Sequence, residues 1–107
     1  MIQVTLYWGT KALVGLESRG HSGSAPRGRD VVCAAVSALV HGLILGLSNV
    51  AEVQDLHCEA DPDVPLIKVS WPDAAAESLD LLTRTVVLSL REIESGYPGY
   101  VSITEVP

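Results

Sequence analysis

Ile2, Val4, Leu6 and Trp8 alternate with Gln3, Thr5 and Tyr7 at the start of the chain. A period of two sends the first set to one side of a pleated strand and the second to the other, so the chain opens with a half-buried strand. Gly9-Thr10-Lys11 is a turn signal. Beyond it Ala12, Val14 and Leu16 alternate against Leu13, Gly15 and Glu17, which predicts a second strand paired with the first as a hairpin. From Arg19 to Arg29 three glycines, two serines and a proline erase any period and predict a loop. Asp30 then stands as a helix N-cap, its carboxylate placed to accept the backbone N–H of Val32 or Cys33. The helix it opens is expected to reach Ser48 or Asn49. Being apolar nearly all round, it is expected to be well buried.

The period of two returns between Glu52 and Ala60, with Leu56, Cys58 and Ala60 on one face and Asp55, His57 and Glu59 on the other. That pattern makes Cys58 a core residue. Asp61-Pro62-Asp63 breaks the strand, and Ile67, Val69 and Trp71 mark a fourth strand ended by Pro72. Asp73 is expected to cap a second helix through about Ser95. Leu79, Leu82, Val86, Leu90 and Ile93 form its core stripe, and Gly96 and Pro98 stop it. Val101 and Ile103 alternate with Ser102 and Thr104 in a last strand. The order is β-β-α-β-β-α-β, with no internal repeat. Two helices suffice to cover one apolar face, which predicts a two-layer α+β fold: two helices packed on one face of a mixed sheet. The other face carries Gln3, Thr5, Tyr7, Asp55, His57, Glu59, Lys68 and Ser70, for solvent or for a dimer contact.

At 107 residues, 48% of them hydrophobic and 19% charged, the chain fits one globular domain over residues 1–107 rather than a disordered segment. The apolar run from Val31 to Leu47 contains Ser37 and His41 and is shorter than the ~20 residues of a bilayer span, so it reads as a core helix and no membrane partner is expected. The N-terminus lacks the basic region of a signal peptide, and two cysteines are too few for a disulfide scaffold. A cytoplasmic location follows as the default. The net charge of −6 is segregated: residues 50–107 hold eleven acids against Lys68, Arg84 and Arg91, whereas residues 1–49 are net positive by two. Such a chain is poorly suited to a phosphate backbone, so no nucleic acid is expected, and it suits a basic partner. No phosphate loop or dinucleotide fingerprint is present. His57 and Cys58, adjacent on a strand, face opposite ways and cannot share a metal. Neither a metal nor a cofactor is implied.

The chemistry concentrates in one stretch. Capped by Asp30, Cys33 is the third residue of the helix, within the first turn, where backbone N–H groups and the helix dipole favour a thiolate. His21 lies in the glycine loop Gly20-His21-Ser22-Gly23, which leaves a strand end and returns to that helix start. Its imidazole can take the thiol proton and later protonate a leaving amine. Asp30 either caps only or also orients His21; aimed at the sulfur it would oppose the thiolate. Ser37 is one turn beyond Cys33, either a donor to substrate or thiolate or a small buried residue bonded back to a helix carbonyl. His41, two turns beyond, reads as a packed, hydrogen-bonded histidine. These residues alone leave Cys33 open between a nucleophile and an ordinary core thiol. They also leave open a non-catalytic binding protein using the acidic C-terminal half, and a thiol-dependent transferase.

Gly20-His21-x-Gly23, the run Asp30-Val31-Val32-Cys33-Ala34-Ala35-Val36-Ser37-Ala38-Leu39 and the spacing between them resemble the bacterial ribosomal-processing cysteine proteases (Prp). The opening Met1-Ile2-Gln3-Val4, the ending Tyr97-Pro98-Gly99-Tyr100-Val101 and the order of elements extend the resemblance over nearly the whole chain. It implies a cytoplasmic homodimer that removes a short N-terminal extension from a large-subunit ribosomal protein, with Cys33 as nucleophile and His21 as base. Asp30 and Ser37 match positions the family pattern also uses, and the loop with Gly20, Ser22 and Gly23 is expected to order around the peptide. Within that loop the chain departs from the pattern at Ser22, usually small and apolar, and at Ser24, often aromatic; Pro26 stiffens the loop, and Arg27 and Arg29 make it basic.

Overall fold

The N-terminal alternation builds the centre of the sheet. In the computed structural model, which describes residues 1–23, 25 and 30–107, strand β1 (Ile2–Trp8) buries Ile2, Val4 and Leu6 and pairs antiparallel with β2 (Leu13–Arg19). The readings placed on Ser24, Pro26, Arg27 and Arg29 lie outside the described residues. The predicted turn closes with the Gly9 N–H donating to the Ala12 carbonyl at 2.8 Å. One detail of the hairpin differs. Tyr7 pairs with Gly15 but Trp8 pairs with Leu13, so Val14 is the extra residue of a bulge. A bulge shifts the alternation by one. Leu13 is therefore 1% exposed, beside Ala12 and Leu16, while Val14 is only half-buried.

Strands β3 (His57–Asp61), β4 (Leu66–Ser70) and β5 (Val101–Val106) complete a five-stranded sheet of order β3-β4-β2-β1-β5. The β1–β5 pair is parallel and the others antiparallel, so the sheet is mixed. Helices α1 (Val31–Leu45) and α3 (Asp80–Gly96) contribute their buried stripes to one core with Val4, Leu6, Leu16 and Val69. This is the two-layer α+β arrangement that the pattern predicts. The Trp71 indole is buried in the core and donates to the Leu13 carbonyl at 2.8 Å.

The third strand starts later than the periodicity suggests. Glu52 and Asp55 adopt φ of 51° and 58°. This left-handed backbone interrupts an extended run, and pairing begins only at His57. Cys58, read above as a core residue, is exposed. It shares a face with its register partner Val69, but β3 is an edge strand and its residues stay largely open. A period of two assigns a face; it does not say whether anything covers that face.

The first helix is also less buried than expected. Val32, Val36, Val40, Leu43 and Leu47 form the buried stripe, whereas Val31 is 65% and Leu45 59% exposed. A π turn over Gly46–Val50 continues α1, so the helical stretch Val31–Val50 is, by length and composition, long enough to cross a membrane, contrary to the shorter run read above. In this fold its stripe packs into the sheet core instead. The second predicted helix is divided into α2 (Asp73–Ala76), a 3-10 turn over Glu77–Leu79, and α3. Pro72, not Asp73, occupies its cap position. The Asp73 carboxylate instead accepts the N–H and hydroxyl of Thr10, each at 2.8 Å, and pins the β1–β2 turn. In the core stripe Leu79, Val86 and Leu90 are buried and Leu82 and Ile93 partly so, joined by Thr83 and Val87.

On the open face of the sheet Glu59, Lys68, Glu17 and Thr5 stand side by side in register. Tyr7 donates to Glu17 at 2.9 Å, Arg19 pairs with Glu17 at 3.1 Å, and the Lys68 ammonium lies 5.1 Å from the centre of the Tyr7 ring. Burial pushes the Glu17 carboxyl up, but the hydrogen bonds from Tyr7 and Arg19, with the charges of Arg19 and Lys68, outweigh it and hold the group below its usual range.

Candidate active site

Strand β2 ends at Arg19, and Gly20 turns the chain with φ +89° while its N–H donates to the Pro65 carbonyl at 2.9 Å. A Cβ on Gly20 would lie 3.0 Å from the Met1 carbonyl oxygen, so glycine answers both the conformation and the close approach. Gly23 takes φ +77°. Between these two turns the chain presents His21 outward and buries Ser22.

Ser22 ties the loop to the helix. Its backbone N–H donates to Cys33 Sγ at 3.2 Å, and its hydroxyl donates to Asp30 Oδ2. Asp30 Oδ1 accepts the Cys33 N–H at 2.9 Å, which is the predicted cap, and the Asp30 carbonyl accepts the Ala34 N–H at 3.0 Å. The cap role is thus present. The second part played by Asp30, as acceptor for the loop serine, is one that spacing alone did not show. Cys33 is half-buried and, like Cys58, a free thiol.

Two cavities meet at the thiol. The larger, about 570 Å³, runs between α1 and the β3–β4 hairpin: Val36, Val40 and His41 line one side, Ala60, Pro62 and Pro65 the other. The smaller, about 470 Å³, includes Gly23, Asp30 and Ala34. His21, Cys33 and Ser37 line both. An extended chain laid across them passes the sulfur with room on either side. The structure therefore brings together all the residues singled out above: Cys33, His21 and Ser37 at the shared wall, Gly20 on one cavity, Gly23 and Asp30 on the other, and Ser22 bonded to the sulfur. Among the described residues no group of His, Cys, Asp or Glu is arranged to hold a metal ion.

Two readings on α1 are corrected. Ser37 is exposed rather than a small buried residue, and its hydroxyl lies 3.2 Å from His41 Nδ1. His41 is hydrogen-bonded as expected but exposed on the larger cavity rather than packed in the core. Its Nδ1 is 2.8 Å from the Ser37 carbonyl oxygen, which only accepts, so Nδ1 carries the proton. The groove floor was also missed. Ala60, Ile67 and Ser18 stand abreast on β3, β4 and β2 and all line the larger cavity. Its only advance signal was a serine at a position whose strand neighbours face the core.

Residues 1–102 match the family model described as cysteine protease Prp. The chain belongs to the cysteine protease Prp family. It is 28% identical over 109 residues to the ribosomal processing cysteine protease Prp of Bacillus subtilis, covering 97% of this chain and 96% of that one. To the Prp of Mycoplasma pneumoniae it is 29% identical over 90 residues, 84% of this chain and 85% of that one. The fold matches that of the Staphylococcus aureus Prp crystallised with a covalently linked product peptide, with a TM-score of 0.84 at 20% identity over 99% of this chain and 100% of that one. The resemblance carried by Gly20-His21-x-Gly23 and the Asp30–Leu39 run holds, and the Prp membership makes the chain a cysteine protease.

Proposed function

We propose that this protease removes a short N-terminal extension from a large-subunit ribosomal protein in the cytoplasm, with Cys33 as nucleophile and His21 as general base. The observation that carries the reading is the meeting of His21, Cys33 and Ser37 on the wall between two cavities, with the sulfur in the first turn of a capped helix. The naming of the curated Prp relatives as ribosomal processing proteases supports the substrate class. So does the acidity of residues 50–107, which suits a basic protein.

His21 takes the thiol proton, and the Cys33 thiolate attacks the scissile carbonyl carbon to form a C–S bond and an oxyanion. The Cys33 amide is engaged by Asp30, so the oxyanion falls to other donors, the exposed Ser37 hydroxyl among them. The C–N bond then breaks as His21 returns the proton to the leaving amine, leaving a thioester. Water attacks that thioester, His21 takes its proton, and Cys33 leaves as the peptide acid is released. Val31, Ala34, Ala38 and Leu45 lie exposed along α1 and support a homodimer built on that helix.

Wild type and Cys33→Ala are incubated with an extended large-subunit ribosomal protein, and the products are weighed by mass spectrometry. Shortened protein is expected from wild type alone. Equal cleavage by both removes Cys33 as nucleophile, and no cleavage by either removes this substrate.

A further inference from the structure

The mechanism places a thiolate close to a buried carboxylate, and two negative charges so placed oppose each other. Asp30 is 8% exposed, at the very start of α1. Both its oxygens are turned onto donors: Oδ1 onto the Cys33 N–H and Oδ2 onto the Ser22 hydroxyl. Ser22, 3% exposed, also points its backbone N–H at Cys33 Sγ, 3.2 Å away.

We propose that Ser22 is a positioning residue, a clasp whose hydroxyl on Asp30 delivers its own amide N–H to the Cys33 sulfur. The inference rests on Cys33 being the nucleophile. A hydrogen bond given to the charged form of a group favours that form, so the Ser22 N–H favours the thiolate. The amide can be in place only if the loop is held. Gly20 and Gly23, flanking this segment, both use backbone conformations with positive φ and bring no side chain that could anchor it. Among the described residues the Ser22 hydroxyl anchors that stretch by a side chain, and one of its partners is the residue that caps the nucleophile's helix. One tie therefore engages the carboxylate with a donor and turns an N–H toward the sulfur.

The test uses the full chain with Ser22→Ala, Ser22→Thr and Cys33→Ala. The rate of Cys33 alkylation by iodoacetamide at pH 7 is followed by mass spectrometry, with exposed Cys58 as the internal control, and kcat and KM are measured on the extended ribosomal protein. In Ser22→Ala, Cys33 alkylation and kcat are each expected to fall roughly ten-fold, the size of one hydrogen bond to a charged group, with KM and the Cys58 rate within two-fold. Ser22→Thr keeps the hydroxyl and is expected to restore most of both losses. Cys33 alkylation in Ser22→Ala within two-fold of wild type overturns the clasp, as does an equal loss in Ser22→Thr with its circular dichroism unchanged. Because alkylation is read without substrate, the clasp is judged even where Cys33→Ala cleaves like wild type and the nucleophile assignment falls.

Discussion

Replacing Asp30 separates its geometry from its charge. In Asp30→Ala the Cys33 N–H loses its cap acceptor, which is worth ~1 kcal/mol. The buried Ser22 hydroxyl loses its carboxylate, for about another 1 kcal/mol. The sum, about 2 kcal/mol, is a large part of the roughly 5–15 kcal/mol that holds a domain together. For a chain of this length it corresponds to a fall in melting temperature of roughly 10 °C. Asn caps about as well as Asp and can still meet a serine hydroxyl, so Asp30→Asn is expected to stay within about 0.5 kcal/mol of wild type. Urea unfolding and calorimetry at neutral pH measure both variants. Asp30→Ala as stable as wild type refutes the reasoning. Asp30→Asn falling as far as Asp30→Ala refutes it too, because the loss would then follow the charge and not the tie between loop and helix.

Two further outcomes are expected. The backbone N–H of Thr10, then its hydroxyl, hold the Asp73 carboxyl below its usual range. The stability from that contact is fully present above the unfolded value near pH 4 and is lost as pH falls through the lower folded value. The stability gap between wild type and Asp73→Asn should therefore narrow in urea titrations below about pH 4; a constant gap would contradict the assignment. Ala60 lines the larger cavity from an exposed edge strand. Ala60→Trp is expected to raise KM roughly ten-fold or more with little change in kcat or in Cys33 alkylation, and steady-state kinetics showing an unchanged KM would remove that cavity as the peptide groove.

The pieces of this molecule that were legible in the sequence are those governed by short range. The period of two in Ile2–Trp8 and the stripe from Leu79 to Ile93 report a face each, and both faces pack into the core, with Trp8, Leu82 and Ile93 partly buried at their edges. The site was legible for a similar reason. Its loop and helix start lie within residues 20–37, so cap, thiol and glycine turns are all local events. What stayed hidden depends on neighbours far along the chain. The exposure of Cys58 follows from β3 standing at the end of the sheet order. The far wall of the groove comes from Ala60, Pro62 and Pro65, whose nearness to α1 no local pattern encodes. His41 was hidden by its company: an apolar run on both sides suggested burial, yet only the stripe with Val36 and Val40 turns inward.

The parallel pair of β1 and β5 has a consequence for the order in which the molecule can mature. Ile2 lies against Val101 and Tyr7 against Val106. β1 thus leaves the ribosome well before β5, and its second edge is filled only once β5 follows. Contacts of such long sequence separation form late and slow the acquisition of structure. The hairpin, the glycine loop and α1 are all synthesised before that edge closes, and a nascent chain carries the parts of the candidate site on an unfinished sheet. Translation stalled anywhere before Val101 leaves β1 open along one side, a ready template for pairing with a neighbouring chain.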